Sequence, residues 1–231
     1  MAHSKHTIRR SNDDGLSLEL HVGVHPSKDG KIVAYCPGMS SDLDGHKGMN
    51  LKLADHIQSK GIGAVVRGDC RYHTKPRKKE EIVDNFRALL DFALDNAESI
   101  CGLPIPSLYL MGYSAGAGAA AAIADEYPVE KLLMIAPAGN AGHCILDGLL
   151  NFQGELYIVK AQDDDVVRDC PERFYKHAIS ALKKELRIVP DCSHGFAGDR
   201  NERTFTNSPL WAFSGNGHVL GPEGGVRLYE P

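Results

Sequence analysis

Short, almost purely apolar runs alternate along this chain with longer stretches in which apolar residues recur every three or four positions. Runs at residues 16–24, 31–36, 63–67, 107–111, 131–136, 155–160 and 185–189 read as strands. Ile32-Val33-Ala34-Tyr35 and Leu132-Leu133-Met134-Ile135 lack the apolar–polar alternation of a strand with one wet face. Strands of that kind are buried on both faces, which predicts a parallel sheet covered by helices. Between residues 81 and 96, Ile82, Val83, Phe86, Leu89, Leu90, Ala93 and Leu94 fall on one stripe of helical period. A helix is also expected over about residues 170–184. Asp169 stands as its N-cap, Glu172 follows three positions later, and Pro171 occupies the first turn, where no N–H is needed. A third, alanine-rich helix is expected over 115–127. The reading is an α/β chain with a doubly wound, mostly parallel sheet and helices on both faces.

Neither an internal repeat nor a mid-chain shift in composition divides the 231 residues. A single domain spanning 1–231 is expected, its core over about 15–200. The pattern lapses after residue 200, where Gly and Pro recur and no stripe of helical period is evident. Irregular structure is expected over 201–231, with a short final strand near 225–229, and this tail is a candidate surface for homo-oligomer contact.

Charge and cysteine usage narrow the partners. With 26 Lys and Arg against 30 Asp and Glu, the net charge of −4 lacks the positive field of a nucleic-acid binder. No apolar run approaches the ~20 residues that cross a bilayer. Residues 1–10 carry no apolar stretch of signal-peptide type. Cys36, Cys70, Cys101, Cys144, Cys170 and Cys192 are scattered, with no C-x-x-C pair. Free thiols in a reducing, cytoplasmic setting are the expectation, rather than a disulfide framework or a zinc site.

The strongest chemical signal is Gly112-Tyr113-Ser114-Ala115-Gly116, set between an apolar strand and an alanine-rich helix. A serine on so tight a strand-to-helix turn needs very small neighbours, a requirement met by Gly112 and Gly116. The helix behind it offers unpaired N–H groups and a positive dipole end where negative charge would develop. The glycines do not have the G-x-G-x-x-G spacing of a nucleotide loop. A nucleophilic serine needs a base and a carboxylate that orients the base, each on a loop after a later strand, the acid preceding the histidine. After the strand at 155–160 comes Ala161-Gln162-Asp163-Asp164-Asp165-Val166-Val167, and after that at 185–189 comes Pro190-Asp191-Cys192-Ser193-His194-Gly195. His194 is the candidate base, with His218 deep in the tail as the other late histidine. Asp163, Asp164 and Asp165 all stand open as the acid. Three consecutive carboxylates cannot all turn to one calcium ion as an alternating D-x-D-x-D loop can.

Over roughly residues 31–195 the chain resembles the α/β-hydrolase family. In that family the acid loop commonly reads small-x-x-Asp-x-hydrophobic-hydrophobic, which implies Asp164. Pro37-Gly38-Met39 stands where the family usually carries His-Gly-x. The proline departs from that pattern, the glycine keeps it, and the resemblance implies an oxyanion hole made by the Met39 and Ala115 N–H groups. Pro37-Gly38-Met39-Ser40-Ser41-Asp42, Gly45-His46-Lys47, Arg67-Gly68-Asp69 and Arg71-Tyr72 are similar to stretches of small, cap-less serine esterases and of acyl-protein or acyl-glucuronide hydrolases. Only 18 residues separate 136 from 155, too few for a helical lid. Trp211 and Phe213 are candidates for a substitute cover or, more simply, for core packing. The five basic residues within 71–79 form a candidate rim for anionic substrates or a solvated loop.

These features together imply a serine hydrolase that cleaves a small carboxylic ester through an acyl-enzyme on Ser114, with no metal or organic cofactor. The alternatives are a thioesterase, peptidase or acyltransferase using the same residues, and a non-catalytic binding protein on the same fold.

Overall fold

The computed structural model of the chain describes residues 3–11, 15, 17–69, 80–215 and 225–230. Among these, the strands are β1 (Ser4–Ser11), β2 (Ser17–His25), β3 (Lys31–Cys36), β4 (Ala64–Gly68), β5 (Ser107–Tyr113), β6 (Val129–Ile135), β7 (Glu155–Ala161), β8 (Lys183–Val189) and β9 (Arg227–Leu228). They form one sheet in the order β1-β2-β4-β3-β5-β6-β7-β8-β9. The centre, from β4 to β8, is parallel. Both edges are antiparallel, with β1 and β2 on one side and β9 on the other. The exchange of β3 and β4 in this order winds the chain both ways from the centre, placing helices on both faces.

The apolar runs explain the layering. Along β3, Ile32, Ala34 and Cys36 face one half of the core while Val33 and Tyr35 face the other. The first half is closed by α2 (Glu80–Asp95), α3 (Ala97–Cys101), α4 (Ala115–Ala122), α5 (Cys144–Asn151) and α6 (Cys170–His177). The stripe read at residues 82–94 is the buried face of α2, where Phe86 and Leu90 pack against the sheet. On the other half lie α1 (Met49–Ser59), through Leu53 and Ile57, and α7 (Asp199–Ser214), through Phe205, Trp211 and Phe213.

Several elements differ from the sequence reading. Helix α7 replaces the irregular structure expected from residue 201, whereas the short final strand is present as β9. Thr204 and Ser208 are buried in α7 because their hydroxyls bond the carbonyls of Arg200 and Thr204 four residues back. Polar residues thereby occupy core-facing positions, which breaks the apolar stripe. Trp211 meets Tyr157 edge-on and Phe213 stacks on Tyr109, so these aromatics are core, not cover. Helix α6 stops at His177, short of residue 184, and Ile179 and Leu182 beyond it are 71% and 80% exposed. Its expected capping box does not form. Asp169 sits at φ −95°, ψ 3°, outside the extended region that aims an N-cap side chain at the first turn, and Glu172 instead pairs with Lys160. Helix α4 ends at Ala122 rather than 127. Strand β1, not anticipated, pairs along its whole length with β2. The basic stretch 71–79, Cys70 and His218 lie outside the described residues.

Candidate active site

Ser114 sits between the carboxyl end of β5 and the first turn of α4, at φ 53° and ψ −119°. A non-glycine residue in that conformation costs about 1–3 kcal/mol and persists only where its surroundings enforce it. The flanking bonds do so: the Ser114 N–H donates to the Ile135 carbonyl at 2.9 Å, and the Ser114 carbonyl accepts from Ala138 N–H at 3.1 Å. The small residues are required by contact. A Cβ on Gly112 would lie 2.4 Å from the Ala117 backbone, and one on Gly116 would lie 2.2 Å from the Cys36 carbonyl oxygen.

The other two side chains arrive from β7 and β8. The His194 Nε2 lies 3.0 Å from the Ser114 Oγ, and its Nδ1 lies 2.8 Å from the Asp164 Oδ2. The ionised carboxylate can only accept, so Nδ1 carries the proton and Nε2 is left to accept from the serine hydroxyl. Asp164 is fully buried, and its second oxygen accepts from the Val166 and Val167 N–H groups at 3.0 and 3.1 Å. Those bonds orient the carboxylate. Asp163 and Asp165 are exposed. Of the three open candidates, Asp164 alone reaches the imidazole. The acid and base loops are tied together, with Gln162 N–H on the Val189 carbonyl at 2.9 Å and Asp163 N–H on the Cys192 carbonyl at 2.8 Å. Cys192, buried two residues before His194, is pushed up to about 11 by burial and by the Asp164 and Asp163 charges, so it stays a neutral thiol.

Beyond β3, residues 37–42 turn beside the serine, where a Cβ on Gly38 would lie 3.5 Å from the Ser114 Cβ. Met39 is 42% exposed and Ala115 is buried at the head of α4. A cleft of about 410 Å³ opens here between Gly38, Met39, Ser40, His46, Met49 and Tyr113. The loop is held from below by Asn50, which sequence reasoning missed. Its amide donates to the Ser41 Oγ at 3.0 Å and to the Asp42 carbonyl at 3.1 Å, while its oxygen accepts from the Tyr35 hydroxyl at 3.2 Å. Behind it, the wholly buried Arg67 guanidinium donates to the Leu43 carbonyl, to Asp44 at 3.0 Å and to the His25 Nε2 at 3.1 Å. Burial, and then the Arg67 charge, lower His25 to about 4, so it is the neutral acceptor this bond needs. An Asn in a helix's first turn and an Arg in a buried strand were the available signals. The strand signal was visible, for Arg67 is the one charged residue in an otherwise apolar run.

Tyr113 was also missed, although it stands inside the motif. Its hydroxyl donates to the His194 carbonyl at 2.8 Å, and its ring stacks on the imidazole at 5.5 Å and 26°.

No protein-family model matches the chain, and no curated protein sequence matches it. Solved structures do match. Est1E from Butyrivibrio proteoclasticus is similar with a TM-score of 0.66 at 13% identity, over 88% of this chain and 95% of that one. The esterase domain of a Rhodothermus marinus protein gives 0.65 at 12% identity, over 91% and 98% of the two chains. A dienelactone hydrolase from Anabaena variabilis gives 0.65 at 17% identity, over 90% and 97%. The chain has the α/β-hydrolase fold. Identities this low speak to architecture, and the chemistry rests on the side chains. In an α/β-hydrolase the serine, the acid and the histidine follow one another along the chain on loops at the strand ends. Here they follow β5, β7 and β8 with hydrogen-bonded geometry, so Ser114, Asp164 and His194 form a Ser-His-Asp triad suited to ester hydrolysis.

Proposed function

We propose that the protein is a serine carboxylic-ester hydrolase of small, cap-less type. The observation that carries this reading is the unbroken chain of contacts from Asp164 through His194 to Ser114, next to a cleft that Gly38, Met39 and Tyr113 line. In the first half-reaction the Ser114 Oγ attacks the ester carbonyl carbon while its proton passes to the His194 Nε2. The tetrahedral intermediate collapses as that proton moves to the departing alcohol, leaving the acyl group on Ser114. Water then attacks the acyl-enzyme, giving its proton to the same nitrogen, and Ser114 recovers a proton as the acid leaves. Asp164 holds the tautomer and stabilises the imidazolium. The Met39 and Ala115 N–H groups are assigned to the oxyanion, a role worth roughly 2.7–4 kcal/mol per donor. Gly112 and Gly116 support the turn.

The connection between β6 and β7 holds α5 alone, which supports an open site for short or exposed acyl groups. Esterases among the similar structures agree with the choice of an oxyester over a thioester or amide. The substrate is a small molecule, handled by a single domain. A cytoplasmic setting and self-association through the C-terminal segment complete the proposal, the latter supported by Leu228, 58% exposed on edge strand β9. No helix among the described residues is long and apolar enough to cross a membrane.

The test is labelling of Ser114 by a fluorophosphonate, together with turnover of chromogenic short-chain oxyesters, thioesters and amides. Ser114→Ala is expected to abolish labelling and turnover while melting like the wild type. Retained turnover in Ser114→Ala would end the mechanism, and faster thioester or amide cleavage by the wild type would reassign the substrate.

A further inference from the structure

A base that shuttles protons must keep its ring within about 3 Å of two partners at once, and misplacement of reacting groups by about 1 Å can cost roughly a hundredfold in rate. His194 lies on a loop, not on a helix or strand, and the residues around it bend sharply: Asp191 and Phe196 both take positive φ, at 51° and 49°. Asp164 fixes one end of the ring. Something must also fix the backbone that carries it.

Tyr113 contacts His194 in two independent ways. Its hydroxyl bonds the His194 carbonyl, and its ring lies nearly parallel to the imidazole. Burial, and then the nearby Asp164 charge, push this phenol up to about 12, so it keeps its proton and remains a donor. The ring is gripped in turn. Phe205 of α7 meets it edge-on at 5.3 Å and 89°, and Phe205 also touches Phe196, two residues beyond the histidine, at 5.7 Å. The Gly38 backbone also packs against it, where a Cβ would come within 3.0 Å of the Tyr113 ring. Tyr113 is therefore held by β5, the 37–42 loop and α7, and it holds the loop carrying the base from both backbone and side chain. It also lines the cleft beside Ser114.

We infer that Tyr113 is a positioning residue for catalysis, registering the His194 imidazole against the Ser114 hydroxyl. The assignment rests on the serine-esterase reading. It gives the residue between the first glycine and the serine a function distinct from shaping the turn, which the glycines accomplish.

The experiment compares wild type, Tyr113→Phe, Tyr113→Ala and Tyr109→Phe on a short-chain chromogenic ester. Tyr109 lies on the same face of β5 and stacks on Phe213, away from the triad, so its variant controls for loss of a phenol hydroxyl. Tyr113→Phe, which keeps the ring but leaves the His194 carbonyl without its donor, is expected to lose about tenfold in kcat with KM unchanged. Tyr113→Ala is expected to lose about a hundredfold. The far-downfield proton resonance of the His194–Asp164 hydrogen bond should broaden in Tyr113→Phe and stay sharp in Tyr109→Phe. A purely structural tyrosine would lower the melting temperature and leave kcat and that resonance as in wild type, and this result overturns the inference. If Tyr113→Ala does not fold, the conservative phenylalanine variant decides alone. Wild-type protein that neither turns over esters nor takes the fluorophosphonate on Ser114 would instead overturn the esterase reading itself, and the positioning role with it.

Discussion

Gly116→Ala tests how tightly the nucleophile turn and the oxyanion loop are built against each other. The added methyl would sit 2.2 Å from the Cys36 carbonyl oxygen and 2.3 Å from that of Pro37. Carbon and oxygen not bonded to one another approach to about 3.3 Å, so a displacement of about 1 Å is needed. No flexible side chain can absorb it, because both atoms belong to the backbone leading into Gly38 and Met39. Within a helix, alanine in place of glycine would by itself stabilise by about 0.5–1 kcal/mol. Overpacking costs about 1–3 kcal/mol, so the net effect on stability is a modest loss. The effect on rate is larger. Pushing the proposed Met39 donor out of place should lower kcat by about 10²-fold or more, since one lost oxyanion donor has that cost. Initial rates on a short-chain ester, with thermal melting in parallel, make the measurement. Gly139→Ala is the control, because its methyl would meet nothing closer than the Cys170 sulfur at 3.7 Å. Wild-type kcat in Gly116→Ala would refute the claim that this contact holds the oxyanion loop in register.

Two other outcomes follow from the buried polar groups. Asp164→Asn should lower kcat by roughly 10⁴-fold, through the wrong imidazole tautomer, whereas exposed Asp163→Asn and Asp165→Asn should stay near wild type. A larger loss in either neighbour would reassign the acid. His25, lowered from 6.5 to about 4, stays neutral in the folded state where the unfolded chain takes up a proton. Stability is therefore fully present above about pH 6.5 and is lost as pH falls toward 4, by up to about 3 kcal/mol from this residue. Urea unfolding of wild type and His25→Gln across that range should show a shallower decline in the variant, and parallel declines would assign the loss elsewhere.

How much could be read from residues alone depended on which of them face the core. The central strands were legible because both their faces are apolar, and the triad was legible because the Gly112–Gly116 spacing and the two later loops occur in chain order. Choosing Asp164 took a resemblance, since three adjacent carboxylates are alike until a fold turns one inward. Strand β1 was invisible. It is an edge strand whose side chains are mostly exposed, so Ile8 is its sole aliphatic residue and main-chain pairing with β2 does the rest. Helix α7 was hidden by its own chemistry, with Pro209 in its interior and buried hydroxyls satisfied four residues back. Tyr113 and Asn50 act through a backbone carbonyl and a loop brought near only by folding, and no periodicity announces such contacts.

The main-chain bonds that zip the 161–164 turn to the 189–192 turn span neighbouring strands, while the hydroxyl comes from β5, with β6 in between. Proton handling and bond making thus belong to separate pieces of scaffold, joined through Ser114 and Tyr113 of the nucleophile turn against His194. An exchange of the attacking atom, oxygen for sulfur, would leave the other piece as it is. The identity of the attacking atom is therefore set by one side chain, and the apparatus that moves its proton by the strands on the far side of β6.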